Sequence, residues 1–184
     1  MAPTVRSGWE IGGWAALALA AQGAWVTCTQ FANLTAVSAV IILVSLVGLL
    51  AILRIMVRFE RDFSLAERLV VGIAFSALAA WLTAASIVNV TASLVYRGIG
   101  DGQDSLRTAG LVAVGGVIAA SAVSRSRGNL WYALVLCWAL LAIYFLGGQE
   151  ASAIAAACMG AAGLVIGTTV GGLANRDNRR RWFG

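Results

Sequence analysis

The 184-residue sequence contains no lysine, no histidine and a single proline, and charged residues make up only 11% of it. Its carboxylates are scattered along the chain and do not form clusters. Metal-dependent and hydrolytic catalysis both depend on histidines or on groups of carboxylates, so both are disfavoured. We therefore expect a protein that is not an enzyme and that holds no metal.

Cysteine is also scarce, and its placement argues against a disulfide framework. The three cysteines, Cys28, Cys137 and Cys158, all lie within apolar stretches, and their number is odd. Buried cysteines commonly behave as small hydrophobic residues. We expect inert thiols at these positions.

The sequence is rich in apolar residues. They make up 60% of the chain, and its mean hydropathy is +0.87, whereas soluble domains are roughly 45–50% apolar. A bilayer core about 30 Å thick requires about 20 mostly apolar residues per helix. The sequence predicts one all-α integral membrane bundle over residues 1–184, with about six spans. These spans are 9–29, 34–57, 67–96, 105–123, 130–146 and 151–174.

The arginines predict how these spans are oriented. All thirteen basic residues are arginines, too few for a nucleic-acid surface, and they stand in short groups between the apolar runs. Eleven of the thirteen fall on one side if the chain crosses the membrane six times, and only Arg97 and Arg107 fall on the other. Because positive residues are retained in the cytoplasm, we expect a multi-pass protein of the cell inner membrane with both termini cytoplasmic. The tail ending in Arg181, Trp182 and Phe183 is expected at headgroup level, with its aromatics in the interface.

The interior of the spans lacks ionisable residues at mid-depth. Ion-coupled transporters, proton pumps and voltage sensors depend on such groups within the membrane. Their absence disfavours all three functions, and a small-molecule transporter ranks third among the hypotheses.

Neutral polar residues are present in the spans, and the third span holds the densest set. On a helical projection, Ser76, Thr83, Ser86, Asn89 and Ser93 fall within an arc of about 140°, and Trp81 projects to the opposite side. An unpaired polar group in hydrocarbon is costly, so this stripe must meet another helix or a ligand. Both interpretations stay open on the sequence alone.

Small residues predict where helices approach closely. Gly163, Gly167 and Gly171 recur at every fourth position of the sixth span, and Gly115 and Gly116 belong to similar ridges in the fourth. Such ridges allow two backbones to pack against each other. We expect helix packing within the chain, and a homodimer seam along the sixth span is the alternative.

Several tryptophans lie deeper than the membrane interface. These are Trp14, Trp25, Trp81 and Trp138. A deep tryptophan either packs a core or lines a pocket for a flat lipophilic molecule.

Two segments carry a resemblance to a known family. Trp81, Thr83, Ala85 and Asn89 follow the pattern W-x-T-x-A-x-x-x-N, which resembles a signature of the tryptophan-rich sensory proteins, the membrane family related to TspO and the translocator proteins. Residues 132–140 begin Tyr-Ala-Leu-Val and include Trp-Ala, as in a segment of the longer bacterial members. The resemblance covers about residues 14–146, whereas the family's first helix and its loop rich in proline and tryptophan have no counterpart.

The resemblance implies a helical membrane protein that binds porphyrins, sterols or similar lipophilic molecules. It implies no required cofactor, although a bound tetrapyrrole or lipid is compatible with it. Ligand-binding residues are assigned from the positions that match the family's motifs and from the polar stripe of the third span. The resemblance implies that they line the bundle interior. These residues are Trp81, Thr83, Ser86, Asn89, Tyr132 and Trp138.

The leading hypothesis is therefore a non-catalytic membrane protein that binds or senses a flat lipophilic small molecule. The competing hypothesis is a structural accessory subunit whose glycine ridge packs against a larger membrane complex. In both cases the lipid bilayer is the surrounding partner, and no nucleic acid is involved.

Overall fold

The computed structural model describes residues 3–32, 35–58, 64–99 and 104–183. Within these ranges the chain forms helices and no strand, which confirms the predicted all-α class. We number seven helices in chain order and treat the continuous segment Leu65–Tyr96 as one of them. They are α1 (Pro3–Phe31), α2 (Ala36–Arg58), α3 (Leu65–Tyr96), α4 (Ser105–Arg125), α5 (Leu130–Phe145), α6 (Ser152–Leu173) and α7 (Arg176–Phe183).

Each of the six predicted spans falls on one of the helices α1 to α6. Among the described residues, five helices are long and apolar enough to cross a membrane: α1, α2, α3, α4 and α6. Helix α5 has only 16 residues, which is about 24 Å of helix and less than the thickness of a typical hydrocarbon core. The predicted span 130–146 therefore corresponds to a short apolar helix.

Polar residues determine where three of the helices begin. Ser64 and Glu67 form a reciprocal capping box at the start of α3, with bonds of 2.9 and 3.3 Å. The Asp104 carboxylate accepts a hydrogen bond from the Arg107 backbone at the start of α4, and Asn129 accepts one from the Tyr132 backbone at the start of α5. These caps satisfy backbone N–H groups that have no partner within the helix.

Helix α3 lies at the centre of the bundle. It packs against α2, α4 and α5, while α6 packs against α4 and α5, and α1 packs along α2. Its first part, Arg68–Ala74, is π-helical before the chain returns to α-helix at Phe75. Side chains of α2, α4, α5 and α6 complete the buried core, among them Leu49, Val112, Tyr132 and Val165.

The direction of α5 follows from contacts at its first residues. Asn129, just before α5, donates a 2.7 Å hydrogen bond to Ser76 near the start of the α-helical part of α3. Gly128 contacts the backbone of Gly172 at the end of α6. Helix α5 therefore runs alongside the longer helices in the same direction as α3 and opposite to α6.

The glycines that bring helices together differ in part from those predicted. A Cβ on Gly116 would stand 2.5 Å from the Cβ of Ala161, so α4 and α6 meet through the predicted ridge in the fourth span. By contrast, a Cβ on Gly163, Gly167 or Gly171 would have no neighbour within 4 Å among the residues that the structure describes. The prediction that these three glycines pack against other helices of the chain is wrong, because α6 turns that face outward.

Candidate functional site

The six predicted site residues lie in three separate environments. Trp81 and Trp138 are on the outer surface of the bundle, with 47% and 59% of their areas exposed. Their rings contact each other, with centroids 5.7 Å apart. The expectation that these two tryptophans line the interior is therefore wrong. A tryptophan is as compatible with acyl chains as with a protein core, so a hydrophobic span alone does not indicate which way it faces.

Thr83 and Tyr132 form a closed hydrogen-bonded pair in the core. Their hydroxyl oxygens are 2.6 Å apart, and both side chains are buried. Thr83 Oγ1 donates to the carbonyl oxygen of Ala79 at 2.9 Å, so the proton between the two hydroxyls comes from Tyr132. Both residues already have partners within the protein, and the pair links α3 to α5.

Ser76, at the lower end of the polar stripe, also has a partner within the protein. It accepts the bond from Asn129 Nδ2, and both residues are fully buried. Since Asn129 also caps α5, this pair positions α5 against α3. The interhelical interpretation of the polar stripe holds for Ser76 and Thr83.

Asn89 is oriented differently and is bonded to the first helix. Its Oδ1 accepts a 3.1 Å hydrogen bond from the indole N–H of Trp25 on α1. Its Nδ2 donates to the carbonyl oxygen of Ala85, one turn earlier on α3, at 3.3 Å. Asn89 is buried, and Trp25 is partly buried against the core.

Three polar atoms close to this bond are buried without a hydrogen-bond partner among the described residues. They are Gln22 Nε2, Ser86 Oγ and Ser93 Oγ. Ser86 and Ser93 lie three residues before and four residues after Asn89, so they share its face of α3. Gln22 lies three residues before Trp25 and shares its face of α1.

The directions of the helices place these groups at matching levels. Short connections make packed consecutive helices antiparallel, so α1 and α3, which flank α2, run in the same direction. Gln22 lies about one turn before Trp25 on α1, and Ser86 lies about one turn before Asn89 on α3. Gln22 and Ser86 are therefore at a common level along the bundle. We refer to Gln22, Trp25, Ser86, Asn89 and Ser93 as the α1–α3 polar cluster.

The backbones of α1 and α3 do not pack along each other in the described part of the chain. The long side chain of Trp25 therefore bridges the distance between them. The cluster can donate and accept hydrogen bonds, but it contains no acid, base or thiol. In the described ranges, no group of three or more His, Cys, Asp or Glu side chains is positioned to hold a metal ion.

Gln22, Trp25 and Ser93 are not among the site residues predicted from the sequence. Gln22 is an amide within an apolar run, and that was the available signal, because a carboxamide inside a span needs a partner. Its register against α3 depends on tertiary packing. Trp25 and Asn89 are 64 positions apart in the sequence. No pattern in the sequence indicates that residues so far apart are hydrogen-bonded to each other.

A second surface feature is a depression between the end of α3 and the start of α4. Leu94, Val95, Ile99 and Leu111 contribute to its walls. Its rim includes Asp104 and Arg107, which are paired with each other at 2.8 Å. Among its described lining residues, none carries a buried polar atom without a partner, in contrast to the α1–α3 polar cluster.

Comparison with known proteins identifies the family. No curated protein and no solved structure matches the chain. The family model described as TSPO-like protein matches residues 6–171. The matched region includes nearly all of α1 and α6, and it is longer than the 14–146 segment in which the resemblance was noted. Because the match covers most of its length, the chain belongs to the family of TSPO-like proteins.

Proposed function

We propose that the protein binds a lipophilic molecule bearing a polar group at the α1–α3 polar cluster, and holds or senses it without converting it. One observation carries the proposal: three buried polar atoms beside the Trp25–Asn89 bond have no partner among the described residues.

The energetic argument rests on the location of these atoms within membrane-spanning helices. Burial of an amide or hydroxyl without a hydrogen bond costs roughly 2–7 kcal/mol, depending on the reference state. Hydrocarbon supplies no hydrogen-bonding groups to offset that cost. A ligand whose polar group bonds to Gln22 and Ser86, which share one level, would recover part of it, whereas a purely apolar ligand would not.

The cluster also favours a particular ligand chemistry. Gln22 Nε2 is a donor, and the two serine hydroxyls can donate or accept. The cluster itself contains no basic residue, so an ionised carboxylate bound among its side chains would be unpaired and costly. A neutral hydroxyl or carbonyl on a flat apolar skeleton, as in a sterol-like molecule, fits best. A porphyrin would fit only with its carboxylates outside the cluster.

Ligand titration of the purified protein tests the proposal. We expect a fluorescent sterol to accept energy from tryptophan and a porphyrin to quench it, in each case with saturation. Gln22→Leu and Ser86→Ala should each weaken binding about tenfold, which corresponds to about 1.4 kcal/mol per lost bond. Neither should lower stability, because neither side chain has a partner within the described chain.

Thr27→Val is the matched control. Thr27 is an exposed hydroxyl on α1 that bonds only its own helix, at Gly23. Binding should be unchanged in this variant. Titration without saturation, or equal affinity in Gln22→Leu, Ser86→Ala and the parent protein, would refute the proposal.

A second function, that of an accessory subunit in a larger membrane complex, is favoured by the outward face of α6. Gly163, Gly167 and Gly171 are exposed there and have no neighbour in the described chain. This face would accept a closely packed helix of another subunit. Stoichiometric co-purification in mild detergent that is abolished by Gly167→Leu would support this function. Purification of the parent protein as a monomer would contradict it.

A further inference from the structure

The C-terminal helix α7 is docked onto the end of the bundle. The buried indole of Trp182 donates a 3.2 Å hydrogen bond to the carbonyl oxygen of Ser126, at the end of α4. Its Cζ3 atom lies 3.8 Å from where a Cβ on Gly72 would stand, in the π-helical part of α3. Trp182 is therefore buried by the protein, which corrects the expectation that it is an interface side chain.

Two further contacts hold α7 in place. The ring of Phe183 lies against that of Trp131 on α5, with centroids 6.4 Å apart. Asn178 Nδ2 donates a 2.7 Å hydrogen bond to the carbonyl oxygen of Gly172 near the end of α6. The helix thus contacts residues of α3, α5 and α6 and the last turn of α4.

This docking gathers arginines from two separate parts of the chain. Ser126, the partner of Trp182, stands between Arg125 and Arg127 in sequence, and both of these side chains are exposed. With Trp182 buried, α7 leaves Arg176, Arg179 and Arg180 exposed. None of these five arginines has an acidic partner among the described residues. We call this set the arginine surface.

Helices that cross a bilayer have their ends at headgroup depth, and the arginine surface lies at such an end of the bundle. It occupies the end of the bundle where α3 and α5 begin and where α4 and α6 end. Phe183, on the same short helix, keeps 48% of its area exposed. A short helix that presents arginines beside an exposed aromatic ring is typical of a segment lying in the membrane interface.

We propose that the arginine surface binds the phosphate groups of anionic phospholipids in the adjacent leaflet. A lipid provides both a phosphate for the arginines and acyl chains for Phe183, whereas a soluble anion provides only charge. Basic residues at a membrane surface are attracted to anionic lipid, and the contributions of several arginines add. The inference concerns a different part of the molecule from the α1–α3 polar cluster and does not depend on it.

Lipid retention tests this inference. The purified protein is reconstituted in nanodiscs of phosphatidylcholine mixed with phosphatidylglycerol, then extracted in mild detergent, and the retained lipids are counted by native mass spectrometry. We expect phosphatidylglycerol to be enriched over its share of the mixture. The triple variant Arg127→Gln, Arg179→Gln, Arg180→Gln should lose that enrichment about tenfold or more.

Arg97→Gln is the matched control, because Arg97 is exposed at the opposite end of the bundle. It should retain phosphatidylglycerol like the parent protein. Thermal unfolding in phosphatidylcholine alone should be equal for both variants, since all four side chains are exposed. No enrichment in the parent protein, or equal losses in the triple variant and in Arg97→Gln, would overturn the proposal.

Inorganic phosphate distinguishes the source of the anion. Added to nanodiscs of pure phosphatidylcholine, it should raise the melting temperature much less than phosphatidylglycerol does. An equal rise with free phosphate would assign the surface to a soluble anion and overturn the lipid assignment.

Discussion

At the scale of single residues, hydrogen bonds divide the polar side chains of α3 into three groups. Thr83 and Ser76 are bonded to α5 and its cap, whereas Asn89 is bonded to α1. Ser86 and Ser93 have no bond within the described chain. Thr83 and Ser76 stabilise the bundle, and the proposed ligand binding depends on the hydroxyls of Ser86 and Ser93.

The Thr83–Tyr132 pair gives a stability prediction. Thr83→Val should lower the free energy of unfolding by about 1–3 kcal/mol, because it leaves the buried Tyr132 hydroxyl without a partner. Tyr132→Phe should cost about 1 kcal/mol. The double variant should lose less than the sum, since both changes remove the same bond.

Unfolding in mixed detergent micelles measures these values. Thr27→Val is again the control: like Thr83 it bonds the carbonyl of the residue four positions earlier, but it has no second partner. Its effect should stay within about 0.5 kcal/mol. Strict additivity of the Thr83 and Tyr132 substitutions would show that the pair is not coupled.

At the scale of helices, two adjacent glycines of α6 have opposite surroundings. A Cβ on Gly172 would stand 2.6 Å from the Cα and N atoms of Gly128, so α6 and the α4–α5 turn meet there backbone to backbone. Gly128 itself has φ 82°, which favours glycine. In the described part of the chain, a Cβ on the neighbouring Gly171 would meet nothing within 4 Å.

This difference predicts opposite effects of the same substitution. Gly172→Ala should destabilise the protein by about 1–3 kcal/mol, because the backbones would have to separate. Gly171→Ala should be neutral or stabilise by up to about 1 kcal/mol, through the higher helix propensity of alanine. Thermal unfolding of the two variants checks this. A loss in Gly171→Ala as large as in Gly172→Ala would contradict an open face on α6.

At the scale of the whole molecule, the short helix α5 decides the topology. If α5 crosses the membrane with the other helices, the segment between α5 and α6 lies on the same side as the end of α3. Both chain ends then lie on the other side, with most of the arginines. If α5 does not cross, the two chain ends lie on opposite sides.

Cysteine labelling of intact cells tests the crossing. In a background where Cys28, Cys137 and Cys158 are replaced by alanine, Arg97→Cys and Gln149→Cys should react with a membrane-impermeant maleimide. Arg176→Cys should react only after permeabilisation, as the positive-inside rule requires. Protection of Gln149→Cys together with labelling of Arg176→Cys in intact cells would show that α5 does not cross, because α6 alone then separates the two positions.

Much of the architecture was predictable from the sequence because its causes are local. Apolar runs between charged groups predicted the six segments that became α1 to α6, and the third predicted span, 67–96, corresponds to the observed helix Leu65–Tyr96. The α3 motif around Asn89 indicated the family, which the matched family model confirms. The polar stripe was predicted to meet another helix or a ligand, and Ser76 and Thr83 do meet another helix or its cap.

The amino-acid sequence by itself determined which segments are helices, how the arginines are distributed and which side chains are polar, because hydropathy and capping depend on near neighbours in the chain. Only the tertiary structure decided which face of each helix is buried. It turned Trp81 and Trp138 outward, paired Asn89 with Trp25, and placed Gly172 rather than Gly171 at a helix contact. In a bilayer, lipid-facing and core-facing side chains are equally apolar, so the periodicity that orients a helix in a soluble protein is nearly absent.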